Sequence, residues 1–206
     1  MLFKERTKSL FADALTRLLE NKSLDKIRVL DMAKECGATP QTFYYHFHDK
    51  YELLAWMFLR DFMGFMGLSR ITLSAQRLTA MMQELEEKRG FYQKALPEEL
   101  IPQVYPYVAA FMEQVTEKAL TQQKGAEASL EERLDIRYHI YGTIGLLADW
   151  IHGRIPLSAA ELQQVFTAHT PAELQAALDN TVYFPGDLAL NKSKNKKEIE
   201  GKRGNK

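Results

Sequence analysis

Ala38-Thr39-Pro40-Gln41-Thr42-Phe43-Tyr44-Tyr45-His46-Phe47 is the stretch on which the fold turns. Gly37 closes the helical pattern before it. Thr39 can cap a new helix by accepting a backbone N–H, and Pro40 suits a first helical position, where its missing donor costs nothing. A short helix is predicted from Pro40. On a helical wheel Phe43 and Phe47 share one face, the ordinary inward face, while Gln41, Thr42, Tyr44 and Tyr45 spread over the remainder. Two adjacent tyrosines left in water would waste much apolar area. This surface, at a helix start with its unpaired N–H groups, is expected to meet phosphate oxygens or base edges.

The residues upstream complete a small unit. Leu10, Phe11, Ala14, Leu15 and Leu18 recur at helical spacing behind Thr7, a candidate cap, and Asn21-Lys22-Ser23 interrupts them. Val29, Met32, Ala33 and Cys36 then fall at i, i+3, i+4 and i+7, a second short helix ending at Gly37. Two short helices joined by a tight turn, the second presenting its first turn outward, form a helix-turn-helix.

Gly37, the run Thr42-Phe43-Tyr44-Tyr45-His46-Phe47, Lys50 and Glu52-Leu53-Leu54 resemble the N-terminal domain of TetR-type (TetR/AcrR) transcriptional regulators, over about residues 7 to 56. The resemblance implies contacts to double-stranded operator DNA from Thr39, Gln41, Thr42, Tyr44, Tyr45, His46 and Lys50, with Thr7 and Lys8 on backbone phosphate. The sequence departs from the family pattern where Arg28 stands for a small hydroxyl cap and Leu30 for a frequent polar residue; Arg28 could supply a phosphate contact of its own.

The chain has 206 residues, 46% of them hydrophobic, so a core larger than residues 1–56 can supply is expected. Net charge is zero overall but runs as +1 over residues 1–56, −6 over 57–191 and +5 over 192–206. The acidic middle is no nucleic-acid surface, and the faintly basic first segment implies modest non-specific affinity. Lys4, Glu5, Arg6 and Lys8 stand where a secretory signal would need an apolar run, and no segment reaches membrane-spanning length, so a cytoplasmic protein without a membrane is expected.

Every strong periodicity beyond residue 56 is helical. Helices are expected from Tyr51 through Phe62, over Ile71–Lys88, Phe91–Ala95 and Tyr105–Gln123 behind Pro102 and Pro106, and over Leu130–Gly153, Ala159–Ala168 and Pro171–Leu178. The expected architecture is all-α: a three-helix DNA-binding domain (1–56), joined by a long helix to a helical effector-binding and dimerisation domain (57–190), and a disordered basic tail (191–206).

The second domain carries two suggestions. Tyr141, Ile144, Gly145, Ala148 and Ile151, with Gly142, make a face of small and apolar residues that reads as a homodimer interface or as internal core; the family resemblance implies the dimer. Phe62, Met66, Phe91, Tyr92, Tyr105, Phe111, Tyr138 and Trp150 read either as plain core or as the lining of a small-molecule effector pocket. Tyr141-Gly142 to His152-Gly153, then Pro156-Leu157-Ser158 and Glu161-Leu162, resemble the subgroup related to dihydroxyacetone-kinase regulators, some of which respond through a partner protein.

Catalysis has no foothold. There is no phosphate-cradling Gly loop, nucleophile elbow or Cys-His pair, His46 and His48 lack partners at metal-ligand spacing, and the single cysteine can form no internal disulfide. Neither enzyme nor cofactor is expected. The expected function is sequence-specific transcriptional regulation, as a repressor released by a small molecule or governed by a partner protein; the alternative is a helical adaptor whose DNA-binding unit has lapsed.

Overall fold

The computed structural model describes residues 2–63, 73 and 75–183. Ten α-helices fill most of that span: α1 (Leu2–Leu19), α2 (Val29–Glu35), α3 (Pro40–His46), α4 (Lys50–Met63), α5 (Ala75–Glu87), α6 (Arg89–Ala95), α7 (Ile101–Lys124), α8 (Leu130–Ile151), α9 (Ala159–His169) and α10 (Ala172–Asn180). Among the described residues the fold is all-α, as expected. Met66 and the Phe62 side chain, both expected in the pocket, and the 191–206 tail lie outside the described residues.

Three helix starts differ by four residues or more from the sequence reading, those of α1, α5 and α7; α5 begins at Ala75, where Ile71 was expected. α1 begins at Leu2, so Thr7 lies inside it and is not its cap. Nothing in the preceding residues breaks a helix, and Lys8 pairs with Glu5 across one turn at 2.9 Å. α7 begins at Ile101 and runs through both prolines. Pro102 occupies the first turn, where no donor is needed, and Pro106 is exposed, so water can reach the carbonyl it leaves unpaired.

Gly37 sets the turn between α2 and α3. Its φ is +66°, and the Ala38 N–H reaches the Ala33 carbonyl at 2.8 Å while the Gly37 N–H reaches Lys34 at 3.3 Å, the paired bonds of a Schellman ending. A side chain at this φ would be strained, so the angle between the two helices depends on the glycine.

The core runs without a break from Phe11, Leu15, Phe43 and Phe47 through Leu53, Leu54 and Phe58 of α4 to Tyr92, Phe111 and Trp150. A boundary at residue 56 therefore falls inside a helix that packs on both sides. α7 is the central element of the larger part, lying against α4, α8 and α10, while α5 packs on α9.

Candidate nucleic-acid interface

α3 is held from beneath. Phe43 and Phe47 are 0% and 1% exposed, and the Phe11 ring meets Phe43 edge-on at 5.2 Å. Thr39 caps α3 as its sequence implies, its Oγ1 accepting from the Thr42 N–H at 3.2 Å, with Pro40 in the first turn. The two threonine hydroxyls are 2.9 Å apart, so that of Thr42 is engaged with its own cap. With the apolar side anchored, Gln41 is exposed and Tyr44 and Tyr45 are 56% and 63% exposed. His46 is half-buried, its ring edge-on to Tyr45 at 5.0 Å.

The cations are placed less simply. Lys50 Nζ donates to the backbone carbonyls of Leu24, Asp25 and Ile27 at 2.6, 2.8 and 2.9 Å. Its three donors are thereby used on the 3-10 turn Leu24–Lys26 and the residue after it, and burial lowers its pKa. Lys50 thus holds the lead into α2 against the start of α4, where the sequence suggested a free phosphate contact. Lys8 is likewise engaged, with Glu5 and, at 5.6 Å, with the face of Trp56. Arg28 occupies the N-cap of α2, where Asp31 reaches back to its N–H at 3.0 Å; a guanidinium cannot accept in return, so the box is half made. Its side chain is 75% exposed beside Asp31 at 3.3 Å, directed outward with only a neighbour in sequence.

α8 carries two stripes, and they exchange several expected roles. Ile136, Ile140, Leu147 and Ile151 are buried, with Ile144 packed against them. Ile144, Ala148 and Ile151, expected on a dimer face, instead help to wall a cavity of about 50 Å³ with Tyr92, Val104 and Tyr105. The opposite stripe is in water: Leu130, Leu134, Tyr138 and Tyr141 are 68%, 55%, 85% and 51% exposed, with Gly142 and Gly145 also exposed. Tyr138, expected in the pocket, therefore points away from it.

Of the other expected pocket residues, Tyr92 and Tyr105 line the cavity, whereas Phe111 and Trp150 are interior packing. The Trp150 indole donates to the Leu157 carbonyl at 2.7 Å under the Arg89 guanidinium, and Phe91 rests edge-on against Tyr92 at 5.1 Å. The larger part also grips the smaller one: Tyr107 of α7 donates to Asp49 Oδ2 at 2.9 Å, while Asp49 Oδ1 caps α4 through the Tyr51 and Glu52 N–H groups. Lys94 of α6 reaches the Glu20 carbonyl at 2.9 Å. Among the described residues no cluster of three metal-ligating side chains occurs, and no helix is long and apolar enough to cross a membrane.

Comparison with known proteins bears on this geometry. Residues 12–57 match the family of bacterial regulatory proteins described as the tetR family. The HTH-type dhaKLM operon transcriptional activator DhaS of Lactococcus lactis subsp. lactis (strain IL1403) is 30% identical over 89 residues, 43% of this chain. That match spans about half, 48%, of the relative's own length. A solved structure of a dihydroxyacetone kinase operon activator DhaS aligns over 84% of this chain and 96% of its own, with 22% identity and a TM-score of 0.46. The helix-turn-helix of α2 and α3 lies inside the matched segment, so it is this part of the chain, residues 12–57, that is similar to the tetR family of bacterial regulatory proteins.

Proposed function

We propose that this chain is a sequence-specific transcriptional regulator that binds double-stranded operator DNA as a homodimer. The observation that carries the reading is α3: Phe43 and Phe47 fix its inner side, and Gln41, Tyr44 and Tyr45 are presented outward from a helix of defined start. In this reading Gln41 and Thr42 meet base edges, Tyr44, Tyr45, His46 and Arg28 position the helix on the backbone, and residues 1–56 form the DNA-binding domain.

The homodimer is supported by the outer stripe of α8. Gly142 and Gly145 sit in helix interior, where glycine costs about 0.5–1 kcal/mol relative to alanine. Within the chain a Cβ at either would meet nothing within 4 Å. Small residues with no neighbour to make room for, flanked by exposed Leu134, Tyr138 and Tyr141, suit close approach by a second copy.

The same geometry narrows effector control. A cavity of about 50 Å³ accommodates a few water-sized groups, so a larger effector would have to open it by moving α7 against α8. The relative's name is that of an activator. We therefore favour activation over the repression expected from sequence. Footprinting of the full-length protein on the DNA flanking its coding region should protect two half-sites about 34 to 36 Å apart. A reporter on that promoter should lose expression when the gene is deleted; a gain would restore repression. Absence of protection at low salt by a well-folded dimer would favour the adaptor.

A further inference from the structure

Beside α3 the surface opens into a cleft of about 450 Å³ lying wholly within the segment that matches the regulatory family. Its apolar wall comes from Ile27 ahead of α2, Val29 and Leu30 in the first turn of α2, and Pro40 and Tyr44 of α3, with the charged side chains of Asp25, Arg28, Asp49 and Lys50 on its border. Ile27 is fully buried beneath it, while Leu30 and Tyr44 are 42% and 56% exposed. One exposed leucine is unremarkable. Here it belongs to an apolar notch continuous with the proposed DNA-reading surface, where a polar side chain would ordinarily be used to hold phosphate.

Phosphate does not suit that notch. Burying an aliphatic group against an anionic oxygen would remove water from the charge without supplying a hydrogen bond. Lys50 does not offer that bond either, because its donors are already on three carbonyls. In the major groove the four bases present donors and acceptors, and only thymine adds an apolar group, its C5-methyl. We infer that Leu30, flanked by Pro40 and Tyr44, is a specificity-determining residue that receives the C5-methyl of a thymine in each operator half-site. α2 therefore takes part in base reading alongside α3. This inference rests on the DNA-binding reading and adds to it a base and a residue.

The test uses the full-length protein and a duplex it selects from a randomised pool. Deoxyuridine is then placed at each thymine in turn, which keeps base pairing and removes only the methyl. One position per half-site should weaken binding about fourfold, the equivalent of about 0.8 kcal/mol for one buried methyl. Leu30→Ala should weaken the selected duplex by a similar factor and become indifferent to uracil at that position. Binding to random-sequence duplex, and its salt slope, should not change. Uracil without effect at every position in the wild-type protein, or equal uracil sensitivity in Leu30→Ala, would overturn the inference while leaving DNA binding intact. Failure to enrich any duplex at low salt would overturn it together with the reading on which it rests.

Discussion

An ammonium group has three donors, and those of Lys50 end on Leu24, Asp25 and Ile27 carbonyls rather than in solvent. Lys50→Met should therefore act on folding: hydrogen bonds to charged groups contribute about 1.5–3 kcal/mol each, and the partial exposure here places the total loss near about 1–3 kcal/mol. Chemical denaturation measures that loss, and the salt slope of DNA binding by the remaining folded protein should stay as it was. Arg28→Ala should do the reverse, flattening the slope by about one unit with little change in stability. A flattened slope for Lys50→Met would return that lysine to the phosphates. The contrast also marks how far single residues could be read. Thr39, Pro40, Phe43 and Phe47 were legible because capping and the inward face depend on neighbours within four positions. Lys50 was not, because its partners lie 23 to 26 positions away and are backbone atoms, which no side-chain pattern announces. Leu30 was noted as a departure, but only the cleft beside Pro40 and Tyr44 gives its exposure a purpose.

α8 explains why a helix can be located correctly and still have its faces misread. Leu130, Leu134, Tyr138 and Tyr141 recur at helical spacing as faithfully as Ile136, Ile140, Leu147 and Ile151, so periodicity establishes the helix without choosing its inner side. Packing on α7 makes the choice, and it sends Tyr138 outward and Ile144 inward. The proposed homodimer gives this a measurable consequence. Gly142→Ala with Gly145→Ala should raise the helix stability of a single chain, by about 0.5–1 kcal/mol for each site. The same pair should weaken self-association, read by analytical ultracentrifugation as a shift from about twice 23.7 kDa toward 23.7 kDa. Unchanged association would mean that the close approach lies elsewhere. His139, on the flank of the same helix, has its pKa lowered by burial and lies 3.4 Å from the Thr170 hydroxyl. The unfolded chain then binds a proton at His139 more readily than the folded one, so stability falls as pH drops through the ordinary histidine range, near about 6.5. His139→Gln should lose less melting temperature than the wild type between about pH 7 and 5.

Joining the two parts is the property least visible in sequence, since it depends on contacts between α7 and the start of α4 across 58 positions. A division into two domains is read easily from the helix-turn-helix pattern, yet the core passes through α4 without interruption and Tyr107 fastens α7 to the carboxylate that caps it. Val104, Tyr105 and Val108 on the same helix border the cavity, so a displacement of α7 that opens the cavity also pulls on Asp49. Tyr107→Phe removes one hydroxyl and keeps the ring. It should raise amide hydrogen exchange at residues 48–52 and cost about 1–2 kcal/mol in global stability, the lower part of the range for a hydrogen bond to a carboxylate because the pair is only part-buried. Alkaline titration gives the independent reading. Burial, and then the bond to Asp49, raises the Tyr107 phenol above its ordinary value of 10. Above that value the unfolded chain releases the proton first, so this contribution to stability is complete below about pH 10 and declines as pH rises further. The wild type should therefore lose melting temperature more steeply than Tyr107→Phe above about pH 10, with the same burial effect at Tyr92 and Tyr183 remaining in both proteins. Parallel curves, together with unaltered exchange at residues 48–52, would show that the hydroxyl bears no load and that the apolar contacts of α4 alone hold the two parts together.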